Sequence, residues 1–182
     1  MRERILDVAT SKIEVYGLRK FTIDEIAIEL KISKKTIYKY FRSKDEIVKE
    51  FFNEVIRTCK ENTIEAINYE GEFSDKLHKI VSSNNEYKIP INIINEAKLY
   101  YPGQWEEVQK LKNFKLDIVE KLIKDAMKEG KIKEDIDYRI LSKLIQKISD
   151  IFFDYDFLVN NNLTIDDIID GIIKITLKGI LK

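Results

Sequence analysis

Three helix-start signals stand about ten residues apart near the N-terminus: Thr22-Ile23-Asp24-Glu25, then Ser33, then Ser43-Lys44-Asp45-Glu46. In the first and third, a hydroxyl serves an orphan backbone N–H and a glutamate three residues on reaches back, the pattern of a capping box. Starts this close together leave room for two short helices only, over 23–30 and 33–41, joined by a tight turn. A longer helix then opens at Ser43. This spacing predicts a helix-turn-helix unit.

The rest of the chain predicts helices as well. Only two prolines and six glycines interrupt 182 residues, and apolar residues recur at helical spacing nearly throughout, so the fold class is all-α. A first helix is expected over 4–16, with Ile5, Ala9, Ile13 and Tyr16 on one face and Gly17 as a left-handed C-cap. Later helices are expected over 73–84, 90–101, 103–128, 137–159 and 164–181. Pro90 and Pro102 sit at helix starts and Gly130 past an end. The helix from Ser43 runs on through Phe51, Phe52, Val55 and Ile56 without a linker signal. Two domains are therefore expected to share a helix: residues 1–46 as the helix-turn-helix unit and 47–182 as a larger helical unit.

Charge adds a function to the second short helix. Between Lys31 and Lys44, six of fourteen residues are basic and none is acidic, although the protein carries 32 basic and 32 acidic residues overall. Residues 1–50 hold 12 basic and 9 acidic side chains, so a polyanion would meet a local patch and not a basic protein. At about 100° per residue, Phe41 falls beside Ile37 on the buried side of this helix. Lys35 and Lys39 fall opposite, flanked by Thr36 and Tyr38. Lysine can donate to guanine O6 and N7, and threonine can bond a base edge or pack on a thymine methyl, as a major-groove helix requires. Tyr38, Tyr40 and Lys44 are better placed for phosphates, which fix register without reading sequence.

At these residues the sequence resembles the TetR family of bacterial transcriptional regulators. The match runs over 5–52: Ile5-Leu6-x-x-Ala9, Ile13 four before Gly17, Thr22, Ile26-Ala27, and Ser33-Lys34-Lys35-Thr36-Ile37-Tyr38-Lys39-Tyr40-Phe41-x-Ser43-Lys44. The resemblance implies a DNA-binding repressor, dimeric through its last two helices, with a small-molecule pocket in the C-terminal domain that controls DNA affinity. It carries DNA contacts onto Thr22, Lys34, Lys35, Thr36, Tyr38, Tyr40 and Lys44; helix geometry adds Lys39, and Ser33 combines capping with phosphate contact. Three positions depart from the family pattern. Lys31 replaces a turn glycine and would be strained at positive φ, Lys35 replaces a small residue and bears on operator choice, and Phe21 replaces a threonine.

Two C-terminal segments are apolar on more than one face: one through Ile140, Leu144, Ile148, Phe152 and Leu158, the other through Ile165, Ile169, Ile172, Ile175 and Ile180. Such helices must be buried on two sides. A homodimer through helices near 137–159 and 164–181 would bury them in a symmetric four-helix interface. Candidates for an effector pocket are His78, Tyr100, Tyr101, Trp105, Phe114, Phe152 and Tyr155. An aromatic pocket implies a bulky, largely apolar effector.

Other classes fit less well. One cysteine, Cys59, and one histidine, His78, exclude an intramolecular disulfide and a four-ligand Cys/His zinc site between them; no metal or cofactor is expected, and Asp135 and Asp137 look like loop and cap residues. There is no nucleophile–base constellation, Gly-rich phosphate loop or H-E-x-x-H, so an enzyme is not expected. The longest run without a charge, 157–165, is nine residues, against roughly 20 for a membrane span, and a cytoplasmic location is expected. The alternative function is a helical interaction protein whose basic patch binds an acidic protein or membrane surface.

Overall fold

The computed structural model describes residues 1–82 and 89–181. Among these described residues ten α-helices follow one another: α1 (Arg2–Lys20), α2 (Ile23–Leu30), α3 (Lys34–Tyr38), α4 (Lys44–Asn68), α5 (Phe73–Val81), α6 (Ile91–Tyr100), α7 (Pro102–Lys128), α8 (Tyr138–Ile148), α9 (Tyr155–Asn160) and α10 (Ile165–Ile180), with a 3₁₀ turn at Ser149–Phe153. Among the described residues the one extended pairing is an isolated bridge between Ile132 and Leu181. No helix among them is long and apolar enough to cross a membrane.

All three hydroxyls cap their helices, and one of the two predicted boxes closes. Thr22 Oγ1 accepts from Glu25 N at 3.2 Å while Glu25 returns to Thr22 N at 2.7 Å, a closed box at the start of α2. Ser33 accepts from Thr36 N at 3.1 Å, and Ser43 from Glu46 N at 3.1 Å. The third box is only half made, because the Glu46 carboxylate accepts from Arg42 N at 2.5 Å instead. Pro90 caps α6, Pro102 takes the first position of α7, and Gly130 follows α7 at φ 70°.

Three elements differ from the sequence expectation. The first helix does not stop at Tyr16. It kinks at Gly17, whose φ of 85° is positive and whose ψ of 174° lies outside the left-handed helical region, and makes one further turn to Lys20. The positive φ requires glycine here; a Cβ would also stand 2.9 Å from Glu96 Oε1 of α6, the far end of a side chain that can shift. The second helix of the helix-turn-helix ends at Tyr38 and not Phe41. The helix expected over 137–159 is broken: Ser149 Oγ donates to Gln146 O at 2.7 Å, and Asp154 accepts from Phe157 N at 3.0 Å to start α9. Both are local side-chain bonds that compete with helix continuation. The helix expected over 73–84 is α5; positions 83 and 84 lie outside the described residues.

Two apolar clusters organise the packing. The first joins Ile5, Ile13, Phe21, Ile26, Ile37 and Phe41 to Phe51 and Phe52 of α4, and continues into Ile93 and Ala97 of α6 and Val108 and Leu111 of α7. The second lies at the far end of the molecule, where Ala66, Phe73, Leu77 and Ile80 meet Val119, Ile123, Leu141 and Ile180. Helix α4 contributes to both, so no break in the core separates the N-terminal helices from the rest.

Candidate nucleic-acid interface and ligand cavity

Helix α3 is anchored by Ile37, fully buried, and the chain just past it by Phe41 at 1% exposure. That anchoring turns Lys35 and Lys39 outward, both exposed, with Tyr38 and Tyr40 also exposed and Thr36 half-buried between them. The turn before α3 is closed by Lys31 in the left-handed region, φ 54° and ψ 43°, whose N–H reaches the Ala27 and Ile28 carbonyls. A lysine here pays the Cβ penalty that the usual glycine avoids.

Five candidate residues have partners of their own. Lys34 Nζ lies 2.7 Å from Asp24 Oδ1 in an exposed pair, and its amine pKa is raised by that hydrogen bond. Ser33 Oγ and Thr36 Oγ1 share a hydrogen bond of 2.9 Å. Thr22 Oγ1 is held by Glu25 at 3.0 Å. Lys44, expected at a phosphate, instead turns inward: Nζ donates to Arg19 O and Phe21 O at 2.7 Å each and lies 4.2 Å from the centre of the Phe21 ring. Partial burial lowers its pKa. The Phe21 ring adds a cation–π contact to the two carbonyls that hold the amine.

A cavity of about 460 Å³ lies deeper in the molecule, between α4, α6, α7 and α10. Its walls include Phe52 and Val55 of α4, Ile91 and Ile94 of α6, Leu111 of α7 and Ile169 of α10. Of the seven aromatic and histidine candidates, Phe152 is at this wall. The others are placed elsewhere by packing. His78 Nε2 sits 3.0 Å from Asp170 Oδ1 on the surface. Tyr100 lies under the Arg19 guanidinium at 4.3 Å. It shares a surface cleft with Tyr101, Asp45 and Arg42. Burial, with the Asp45 and Glu96 carboxylates nearby, pushes the Tyr101 phenol up. Trp105 packs edge-on against Phe153, centroids 5.5 Å apart, and Phe114 is packed on the first apolar cluster. Tyr155 opens α9 and is half-buried.

Two cavity features were not anticipated. Lys112 and Lys115 of α7 both line the cavity; Lys112 is paired with Asp150, and Lys115 Nζ lies 3.5 Å from the Val81 carbonyl. A signal for Lys115 exists in the sequence. It stands four residues after Leu111 and four before Val119, within the buried stripe Val108, Leu111, Val119, Ile123 and Ala126, where an apolar side chain would be expected. The second feature is Glu96. It lies on α6, whose Ile91 and Ile94 line the cavity, and its Oε2 accepts from Arg19 N at 3.1 Å in the α1 kink.

Residues 5–51 match the family model described as bacterial regulatory proteins, tetR family. The HTH-type transcriptional regulator YhgD of Bacillus subtilis (strain 168) is 27% identical over 137 residues, covering 72% of each chain. A crystal structure of a transcriptional regulator from Saccharomonospora viridis in complex with choline superposes with a TM-score of 0.78 at 17% identity, over 100% of this chain and 97% of that one. The regulator FadR from Bacillus subtilis in complex with stearoyl-CoA gives 0.65 at 19% identity, over 96% of both chains.

Proposed function

We propose that this chain, which belongs to the tetR family of bacterial regulatory proteins, is a dimeric repressor released from its operator by a small molecule. In this reading residues 1–46 bind DNA and 47–182 bind effector and partner. Lys35, Thr36 and Lys39 face base edges in the major groove; Ser33, Tyr38 and Tyr40 face phosphates. Thr22 and Lys34 join them once the backbone is engaged, Lys34 by exchanging Asp24 for a phosphate. Lys44 acts indirectly, by clamping the carbonyls that lead into α2.

The observation that carries the proposal is that one helix, α6, both lines the apolar cavity and grips α1 through Glu96. A ligand that displaces Ile91 or Ile94 therefore has a rigid path to the N-terminal helices, and binding shifts the population toward a spacing that no longer fits two successive major grooves. The apolar walls suit a bulky apolar effector, and the stearoyl-CoA bound by the Bacillus regulator supports an aliphatic group in such a fold. Dimerisation is supported by apolar side chains left open on the two expected helices: Ile140 at 71% exposure and Leu144 at 49% on α8, Ile175 at 75% on α10.

Operator fragments recovered by pulling down genomic DNA provide the assay. The double variant Lys35→Ala, Lys39→Ala should lose at least about tenfold in affinity, taking ~1 kcal/mol or more for the lost contacts, and binding should weaken steeply with salt. Unchanged affinity in the double variant removes α3 as the recognition helix. Effector control is tested by screening apolar ligands for thermal stabilisation; a stabilising ligand that leaves operator affinity unaltered argues against release.

A further inference from the structure

We propose that the 3₁₀ turn at Ser149–Phe153 is the door of the cavity and the Lys112–Asp150 ion pair its latch, so that ligands enter from a polar cleft between α7 and α8; this rests on the reading of the cavity as the effector site. The two spaces share a wall. Lys112 and Leu116 of α7 and Ile145 of α8 line both the cavity and the cleft, whose outer side carries Tyr138, Ser142 and Gln146 of α8. Asp150 faces the cleft, whereas Phe152 and Phe153 line the cavity. One short turn therefore closes the cavity on its inner side and meets the cleft on its outer side.

The backbone of this turn is suited to movement. It interrupts a helical segment with 3₁₀ bonds, whose geometry is poorer than that of an α-helix and which often mark a hinge. Side chains tie it to α7. Lys112, itself mostly buried, reaches the exposed Asp150 carboxylate, and its ammonium also lies 5.7 Å from the centre of the Phe153 ring. Trp105, from the start of α7, packs edge-on against the same ring. The bond from Lys112 holds the Asp150 carboxyl below its usual range, with a smaller contribution from Lys147. Lys147 belongs to α8, the helix that runs into the turn, so it cannot fasten the turn to α7. When the Lys112–Asp150 pair opens, the turn is free to swing and carry Phe152 and Phe153 off the cavity.

Stopped-flow fluorescence of the full-length protein with N-phenyl-1-naphthylamine, a neutral apolar fluorophore, tests this. Energy transfer from Trp105, the single tryptophan, reports arrival of the probe beside Phe153. Asp150→Asn should raise the association and dissociation rate constants together by about three- to fivefold, the scale of one ion pair, with Kd held within about twofold. Lys147→Met should exchange probe at the wild-type rate, and the exchanged pair Lys112→Glu, Asp150→Lys should restore slow exchange. Added salt should speed the wild-type protein and leave Asp150→Asn unaffected, a check that stands if the exchanged pair fails to fold. Wild-type rates in Asp150→Asn overturn the latch but leave the cavity reading in place, since the probe still binds. Fast exchange in a folded exchanged pair, or a change in Kd without a rise in both rates, overturns it as well. No binding of the probe by the wild-type protein overturns the latch and the cavity reading together.

Discussion

The N-terminal helices and the cavity region are packed to different standards. Of the twelve largest fully buried side chains among the described residues, ten fall between Ile5 and Phe52. Around the cavity, by contrast, Phe152 and Phe153 are only half-buried, and about 460 Å³ is left unfilled. Dense packing fixes α3 against α1 and α2, as a surface must be fixed if it is to present Lys35 and Lys39 in register. Loose packing leaves a space that a ligand can complete, and ligand binding would then contribute the stability that the walls lack.

That contrast can be broken by experiment, beginning with its largest effect. Phe41→Ala should destabilise the protein by about 3–5 kcal/mol, as expected for a fully buried aromatic, whereas Phe152→Ala at the cavity wall should cost under ~1.5 kcal/mol, because it enlarges a space already present. Chemical denaturation of the two variants compares them, and equal losses would show the cavity to be as tightly packed as the N-terminal core.

A smaller effect, of opposite sign, is expected inside the cavity. Lys115→Met should stabilise the ligand-free protein by ~1–3 kcal/mol at pH 7, since folding holds this amine at about 8 against 10.5 when unfolded. The depressed pKa penalises folding fully below about pH 8. Between there and 10.5 the folded protein gives up the proton while the unfolded chain keeps it, so wild-type stability gains on the variant as pH rises. Denaturation midpoints of both proteins at pH 7 and pH 10 should converge; a constant difference sharpens the contrast differently, making Lys115 a packing residue and not a buried charge.

The smallest effect belongs to the turn before α3. Lys31→Gly should raise the melting temperature, with a gain of ~1 kcal/mol from relieving positive φ, and should leave ligand affinity unchanged. A loss of stability on this substitution would mean that the lysine side chain contributes more than its backbone conformation costs.

Legibility in the sequence follows the range of the forces involved. Thr22, Ser33 and Ser43 act on backbone groups three residues away, so their helices could be placed from neighbours alone. The break at Ser149–Phe153 could not, because apolar periodicity runs straight through it while two local side-chain bonds interrupt the helix. The aromatic candidates were chosen by residue type, and most are held by partners distant in sequence: Tyr100 by Arg19, Trp105 by Phe153. Lys115 was the reverse case: its signal, a charge out of place in an apolar stripe, was present in the sequence and went unused.

The sequence by itself determined the all-helical class, the capped helix-turn-helix and the outward face of Lys35 and Lys39, since caps and a 3.6-residue repeat act over a single turn of chain. The tertiary structure alone decided that Lys44 turns inward onto Phe21, that α6 links the cavity to the Gly17 kink through Glu96, and that a lysine stands in the cavity wall. Each of these joins residues more than twenty positions apart or depends on the space between helices, and neither is encoded in the periodicity of any one segment.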